Sequence, residues 1–156
     1  MIRSFEDADR QYIVDAHYDI YHREYGYDLS FKDFIWNSVN DFISKGDRTS
    51  EHIWILDINQ SPKGSIALTR VDDKTAQIRL FLVEPEFRRL GYGRSLIQRA
   101  IDFARLNHYE TIILWTNRSL KSARHLYGKF GFQLVEQKMS VLSNQLLVEE
   151  RWSLTL

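Results

Sequence analysis

The stretch that most constrains this chain is RRLGYGRSL at 88–96. An apolar run, IRLFLV (78–83), precedes it, and an amphipathic run, LIQRAIDFA (96–104), follows it. The first run is a strand pattern and the second has helical spacing. A strand that enters a helix through two glycines leaves open backbone N–H groups at the helix start. Aligned peptide dipoles add roughly half a positive charge there. Gly91 and Gly93 let a bulky anion approach the backbone, and Arg88, Arg89 and Arg94 supply charge-assisted donors. The junction therefore reads as a phosphate or pyrophosphate site. The plainer alternatives are a simple strand-to-helix turn and, for Arg94, a solvated first-turn residue.

Two common phosphate motifs do not fit. The P-loop needs Lys-Ser/Thr at the helix start, and here Arg94-Ser95 follows Gly93. The dinucleotide fingerprint G-x-G-x-x-G fails at its third glycine, where Leu96 stands. What remains is Arg-x-x-Gly-x-Gly, formed by Arg88, Gly91 and Gly93.

The flanking patterns supply the rest of the fold. Residues 1–5 suit a short strand, and Ile13, Val14, His17, Ile20 and Tyr21 give 9–25 a helical face. Ser30 and Asp33 resemble a capping box for a second helix with Phe31, Phe34, Ile35, Val39 and Phe42 on its apolar face. Lys45-Gly46 is its stop. Strands are expected at 52–58, 65–71 and 75–83, forming an antiparallel meander, then a helix at 93–106. TIILWTN (111–117) is apolar enough for a strand buried on both faces, and a helix at 120–130 stops at Gly131. FQLVEQ (132–137) and LVEERWSLTL (147–156) are the last strands, and RWSLTL is a candidate edge for pairing with another copy. The order β-α-α-β-β-β-α-β-α-β-β predicts one α/β (α+β) domain over 1–156, a mixed, largely antiparallel sheet flanked by helices.

Composition excludes several function classes. The net charge is zero, so no global field recruits nucleic acid or an anionic membrane. The absence of cysteine removes disulfides, thiolate nucleophiles and cysteine metal sites, and the five histidines lack ligand spacing, so no metal is expected. No apolar stretch is long enough to span a bilayer. A cytoplasmic protein is expected.

With these elements in place, the chain resembles the GCN5-related N-acetyltransferase (GNAT) family. The likeness rests on Arg-x-x-Gly-x-Gly inside LFLVEPEFRRLGYG and on LWTNRSLKSARHLYGKFGF, and it runs along nearly the whole chain. More narrowly, REYGYDLSF, LWTN and ARHLYGKFGF look like the acetyltransferase domain fused to MarR-type regulators, here with no winged-helix segment ahead of it. The resemblance implies acetyl-CoA as cosubstrate and a primary amine of a small molecule or protein as acceptor, joined by direct attack in a ternary complex. It implies that the backbone of Leu82 and Val83 binds the cofactor arm and acetyl carbonyl at a strand bulge. It implies that Arg88, Arg89, Leu90, Gly91, Tyr92, Gly93, Arg94 and Ser95 wrap the pyrophosphate, and that Asn117 holds the arm.

Tyr127 is implied as general acid, its phenol suited to a leaving thiolate. The general base is open. The position that carries a glutamate in some members is Gln77 here, so Glu84 is the first candidate, with Glu24 and His17 behind it. Tyr25 is a candidate for the acceptor cleft. Plainer readings stand beside these: Tyr127 on the helix stripe Ala123, Leu126, Tyr127, Phe130, Asn117 as a cap, and Glu84 as a turn residue. A non-catalytic acyl-CoA-binding regulatory module is the alternative function. The oligomer, monomer or homodimer, is open.

Overall fold

The computed structural model describes residues 1–45 and 47–156, so the expected helix stop at Gly46 lies outside the described residues. The elements run β1 (Ile2–Ser4), α1 (Asp9–Tyr25), α2 (Leu29–Lys45), β2 (His52–Ile58), β3 (Ser61–Arg70) and β4 (Thr75–Val83). They continue with α3 (Tyr92–Leu106), β5 (Thr111–Asn117), α4 (Lys121–Lys129), β6 (Gln133–Leu142) and β7 (Gln145–Thr155). The expected order holds.

One seven-stranded sheet has the order β1-β2-β3-β4-β5-β7-β6. Among the described residues only β4 and β5 pair in parallel; every other neighbour is antiparallel. Alternation along the strands splits the core into two layers. Trp54 and Leu56 of β2 face Leu96, Ile97, Ala100 and Ile101 of α3, whereas Ile53 and Ile55 face Ile13 and Val14 of α1 and Ile35 and Val39 of α2. The α1/α2 layer and the α3/α4 layer thus cover opposite faces.

Several expectations need correction. Asp28, rather than Ser30, caps α2, because its Oδ1 accepts from the Ser30 N–H at 2.9 Å. The same carboxylate accepts from Ser143 Oγ at 2.7 Å and Asn144 Nδ2 at 2.6 Å, tying the β6–β7 turn to the helix start. Phe34, expected on the apolar face of α2, is half exposed. β5 is buried on one face at Ile112, Leu114 and Thr116, and only half-buried at Ile113 and Trp115.

The last two strands form one long hairpin that turns at Ser143-Asn144, both at positive φ, so residues expected as loop belong to β6 and β7. β7 pairs on both sides and β6 is the edge, contrary to the expectation for RWSLTL.

Two features place α4 and open the sheet. Glu150 of β7 is fully buried and takes a bidentate pair from Arg124, Nε at 2.7 Å and Nη2 at 3.1 Å, which pins α4 to the sheet. β4 carries a bulge: Ser65 pairs with Leu82 and Ala67 with Arg79, so Leu80 and Phe81 oppose Ile66 alone. Leu80 takes φ 53°, and its carbonyl accepts from Ser65 Oγ at 2.6 Å.

Candidate functional site

The bulge ends the parallel pairing. The β4–β5 ladder stops at Ile78↔Leu114, yet β4 stays paired to β3 through Leu82 and Val83, and β5 stays paired to β7 through Asn117. Residues 79–83 therefore present an edge to β5 that has no strand partner. The gap opens after Ile78 and runs past Leu82 and Val83, and the bulge lies just before those two residues, at Leu80 and Phe81.

Two cavities reach this gap. The first, about 560 Å³, is lined by Leu82, Val83, the glycine junction and one face of α4. The second, about 520 Å³, is lined by α1, α2, the bulged part of β4, the end of β5, Tyr127 and the β6–β7 hairpin. Tyr21, Phe81, Leu120 and Ala123 line both, so the cavities meet there.

The first cavity is rich in arginine. Arg88, Arg89, Gly91, Gly93 and Arg94 line it, and α4 adds His125 and Lys129. Gly91 stands at the N-cap of α3 with φ 88°, and no side chain caps the helix there. The first-turn N–H groups are thus left for an anion. The two glycines serve different needs. Gly91 supplies the left-handed turn, with no atom within 4 Å of where a Cβ would stand; at Gly93 a Cβ would lie 3.3 Å from Leu126 Cδ2.

Arg88 is partly committed, its Nε to the Val83 carbonyl at 3.1 Å and its Nη1 to Glu24 at 2.9 Å. Leu90, Tyr92 and Ser95 do not line the cavity: Leu90 is exposed, Tyr92 packs on the core and Ser95 Oγ bonds Gly91 O at 3.1 Å. Tyr25, expected in the acceptor cleft, lines this arginine-rich cavity instead.

The second cavity is aromatic with polar points. Tyr127 is buried on its wall, and desolvation pushes its phenol well above the usual range. Asn117 lines this cavity rather than the first. Its Oδ1 accepts from the Ser119 N–H at 3.0 Å and its Nδ2 donates to Tyr27 Oη at 2.9 Å, so it shapes the β5–α4 turn. Gln77 also lines it. Glu84 lines neither cavity; its carboxylate accepts from Tyr12 Oη at 2.7 Å, on the α1 side.

His17 is the group brought into place. It is 3% exposed, and its Nδ1 lies 2.8 Å from the Ile13 carbonyl. A carbonyl only accepts, so Nδ1 carries the proton and Nε2 presents a lone pair. Nε2 is buried without a partner, as is Thr116 Oγ1, and both residues line the aromatic cavity.

Burial pushes the His17 imidazole down to about 4, and the Ile13 bond only partly opposes this. Above pH 6.5 the ring is neutral whether the chain is folded or not. As pH falls from 6.5 towards 4, the unfolded chain takes a proton that the folded chain refuses, and stability is lost. His17 alone should cost about 2 kcal/mol by pH 5. Urea unfolding at pH 7.5 and 5 checks this. His17→Gln should lose about 2 kcal/mol less than the wild type between those values, and an equal loss in both proteins would refute the shift.

Arg79, Ser38, Trp115, Lys138 and Glu149 also line the aromatic cavity and were not singled out in the sequence. His125 and Lys129 were missed in the first cavity, although their i, i+4 spacing on α4 is the signal that groups them.

The sequence model of the Acetyltransferase (GNAT) family matches residues 11–132. N-acetylaspartate synthetase of Danio rerio is 33% identical over 88 residues, 56% of this chain and 31% of that protein. N-acetyltransferase 8 of Homo sapiens is 32% identical over 89 residues, 54% of this chain and 39% of that protein. The chain thus spans less than half the length of these relatives.

Among solved structures, a GNAT-family acetyltransferase of Staphylococcus aureus superposes with TM-score 0.82 at 19% identity, covering 100% of this chain and 98% of that one. An acetyltransferase of Salmonella typhimurium, solved with its cofactor acetyl-CoA, superposes with TM-score 0.78 at 19% identity, covering 100% and 93%.

Proposed function

Because the chain belongs to the GNAT acetyltransferase family, we propose that it is an N-acetyltransferase that moves an acetyl group from acetyl-CoA to a primary amine. The observation that carries this reading is the meeting of two cavities of opposite character at the β4–β5 gap, beside Tyr127.

The residues of the arginine-lined cavity fit acetyl-CoA. The uncapped α3 N-terminus, Arg89, Arg94 and Lys129 suit a pyrophosphate, and Arg88 joins them on leaving Glu24. The free strand edge at Leu82 and Val83 suits an amide-bearing arm. Acetyl-CoA held there supplies a thioester acyl group and a thiol leaving group.

The chain's own residues do the rest. Backbone N–H groups at the bulge stabilise the acyl oxygen as it gains charge. Tyr127 donates its hydroxyl proton towards the sulfur. His17 Nε2 and Thr116 Oγ1 accept hydrogen bonds from the amine and aim it. We assign this amine-facing role to His17 in preference to Glu84, which Tyr12 holds. With its pKa near 4, His17 orients the amine rather than storing its proton, so the reactive amine is the neutral form; the proton that its nitrogen sheds as the C–S bond breaks restores the Tyr127 hydroxyl.

We assign the protein to the cytoplasm, as a monomer or homodimer. No helix among the described residues is long and apolar enough to cross a membrane.

Calorimetric titration of acetyl-CoA, followed by thiol release over a panel of amines, tests the reading. Binding with release above blank supports it. Binding with no release from any amine favours the non-catalytic acyl-CoA-binding module that the likeness to fused regulator domains suggests. No binding overturns both.

A further inference from the structure

We propose that the acceptor is a free amino acid with a large apolar or aromatic side chain, its carboxylate held by Arg79 in the aromatic cavity. This rests on the acetyltransferase reading and narrows its substrate class.

Arg79 is the cation of that cavity without a counterion. Its Nη2 donates to Ser38 Oγ at 2.8 Å, and among the described residues no carboxylate lies within the 4.0 Å of an ion pair. The acidic groups that act on it, Asp41 and Glu51, do so from farther away, and Glu51 already accepts the Arg70 N–H at 2.7 Å. Lys138, the other cation on the wall, pairs with Glu149 at 3.8 Å and lies 4.5 Å from the Trp115 ring centroid. A partly buried guanidinium without an anion is unfavourable. Its planar fork matches a carboxylate in bidentate fashion.

The remaining walls fit the other parts of an amino acid. His17 Nε2 and Thr116 Oγ1, both buried and without partners, accept from an α-amine. An aromatic ladder, Tyr21 on Phe31 at 4.9 Å and Phe31 on Phe34 at 6.3 Å, offers cover for an apolar body, and Phe34 is half exposed. Arg79 disfavours a polyamine by charge. A protein N-terminus or lysine lacks a carboxylate on the amine-bearing carbon.

Two measurements test this. Thiol release is compared for L-phenylalanine, L-phenylalaninamide and phenethylamine at saturating acetyl-CoA. L-phenylalanine should exceed both analogues in kcat/KM by about 100-fold, since a site built around a polar group rejects ligands that lack it. Arg79→Met should remove the preference by raising KM for L-phenylalanine, with acetyl-CoA affinity retained; Arg79→Lys should restore part of it.

The second measurement is calorimetric titration of L-phenylalanine and phenethylamine into the CoA complex, which needs no turnover. Preferential binding of L-phenylalanine that is lost in Arg79→Met supports the proposal. Equal binding of the two ligands, or a preference that survives in Arg79→Met, overturns it. Failure of every amine to release thiol counts instead against the acetyltransferase reading, and the binding measurement still decides the carboxylate site.

Discussion

Gly91→Glu should weaken acetyl-CoA binding at least 100-fold, about 3 kcal/mol, while the protein still folds. Space is not the obstacle, because nothing stands within 4 Å of a Cβ at this position. The φ of 88° is the first cost, about 1 kcal/mol for a residue other than glycine. The second is charge. A carboxylate at the mouth of the arginine-lined cavity takes up the donors that a pyrophosphate needs and repels the phosphates. Gly91→Ala separates the two, since it carries the backbone cost alone. It should lose about 1 kcal/mol of stability and little affinity. Calorimetry on both variants, with thermal melts alongside, makes the comparison. If Gly91→Glu binds acetyl-CoA within about 5-fold of the wild type, less than 1 kcal/mol, the junction is not the pyrophosphate site.

The first half of this site is legible in the sequence because its signal is local. A strand pattern at 78–83, two glycines and three arginines within 88–96 and a helix pattern at 96–104 follow one another directly, and a short-range motif needs no distant partner to be read. The burial of Tyr127 is legible for a related reason, since it lies on a helix stripe that must face the sheet, whereas its role as general acid comes only from the family resemblance.

The acceptor side is not legible, because distant packing assembles it. Arg79 stands in no motif, and only the packing of α2 brings Ser38 to 2.8 Å from it. Glu84 looks well placed in sequence, just past the bulge, but Tyr12 from α1 captures it. Asn117 has its side chain turned to Ser119 and Tyr27, a partner far off in the chain. The β6–β7 hairpin was read short because β6 is exposed along most of its length, so no buried face imprints an alternating pattern on it. Its turn also lacks the glycine that marks most tight hairpins.

The bulge connects the two halves. One extra residue in β4 ends the ladder to β5, and the same offset turns Phe81 into the wall that both cavities share. Leu80 sustains a left-handed backbone there, a conformation that costs about 1 kcal/mol or more. Ser65 Oγ, hydrogen-bonded to the Leu80 carbonyl at 2.6 Å, helps to hold it. Strain is kept at the point where the two cavities meet, between the α3 layer on one face and the α1/α2 layer on the other.

Tyr127→Phe should lower kcat by about 100-fold and leave both acetyl-CoA affinity and the amine KM within about 2-fold, under 0.5 kcal/mol. The two side chains have the same shape, so the packing against Phe81 and Phe132 is kept. Only the hydroxyl is lost. Desolvation is the main reason that the phenol is raised, and no hydrogen bond contributes to that shift. The Tyr127 hydroxyl borders the aromatic cavity, so removing it should change stability by less than about 1 kcal/mol. Lower turnover with stability nearly unchanged is the pattern of a group kept for chemistry. A packing residue would show the reverse. The raised phenol also predicts the pH profile. Tyr127 stays protonated across the working range, so the rate should climb with pH as the amine loses its proton, with no descending limb from this residue. A variant that keeps at least half of the wild-type kcat would remove Tyr127 from the proton path and leave it as a wall of the cavity.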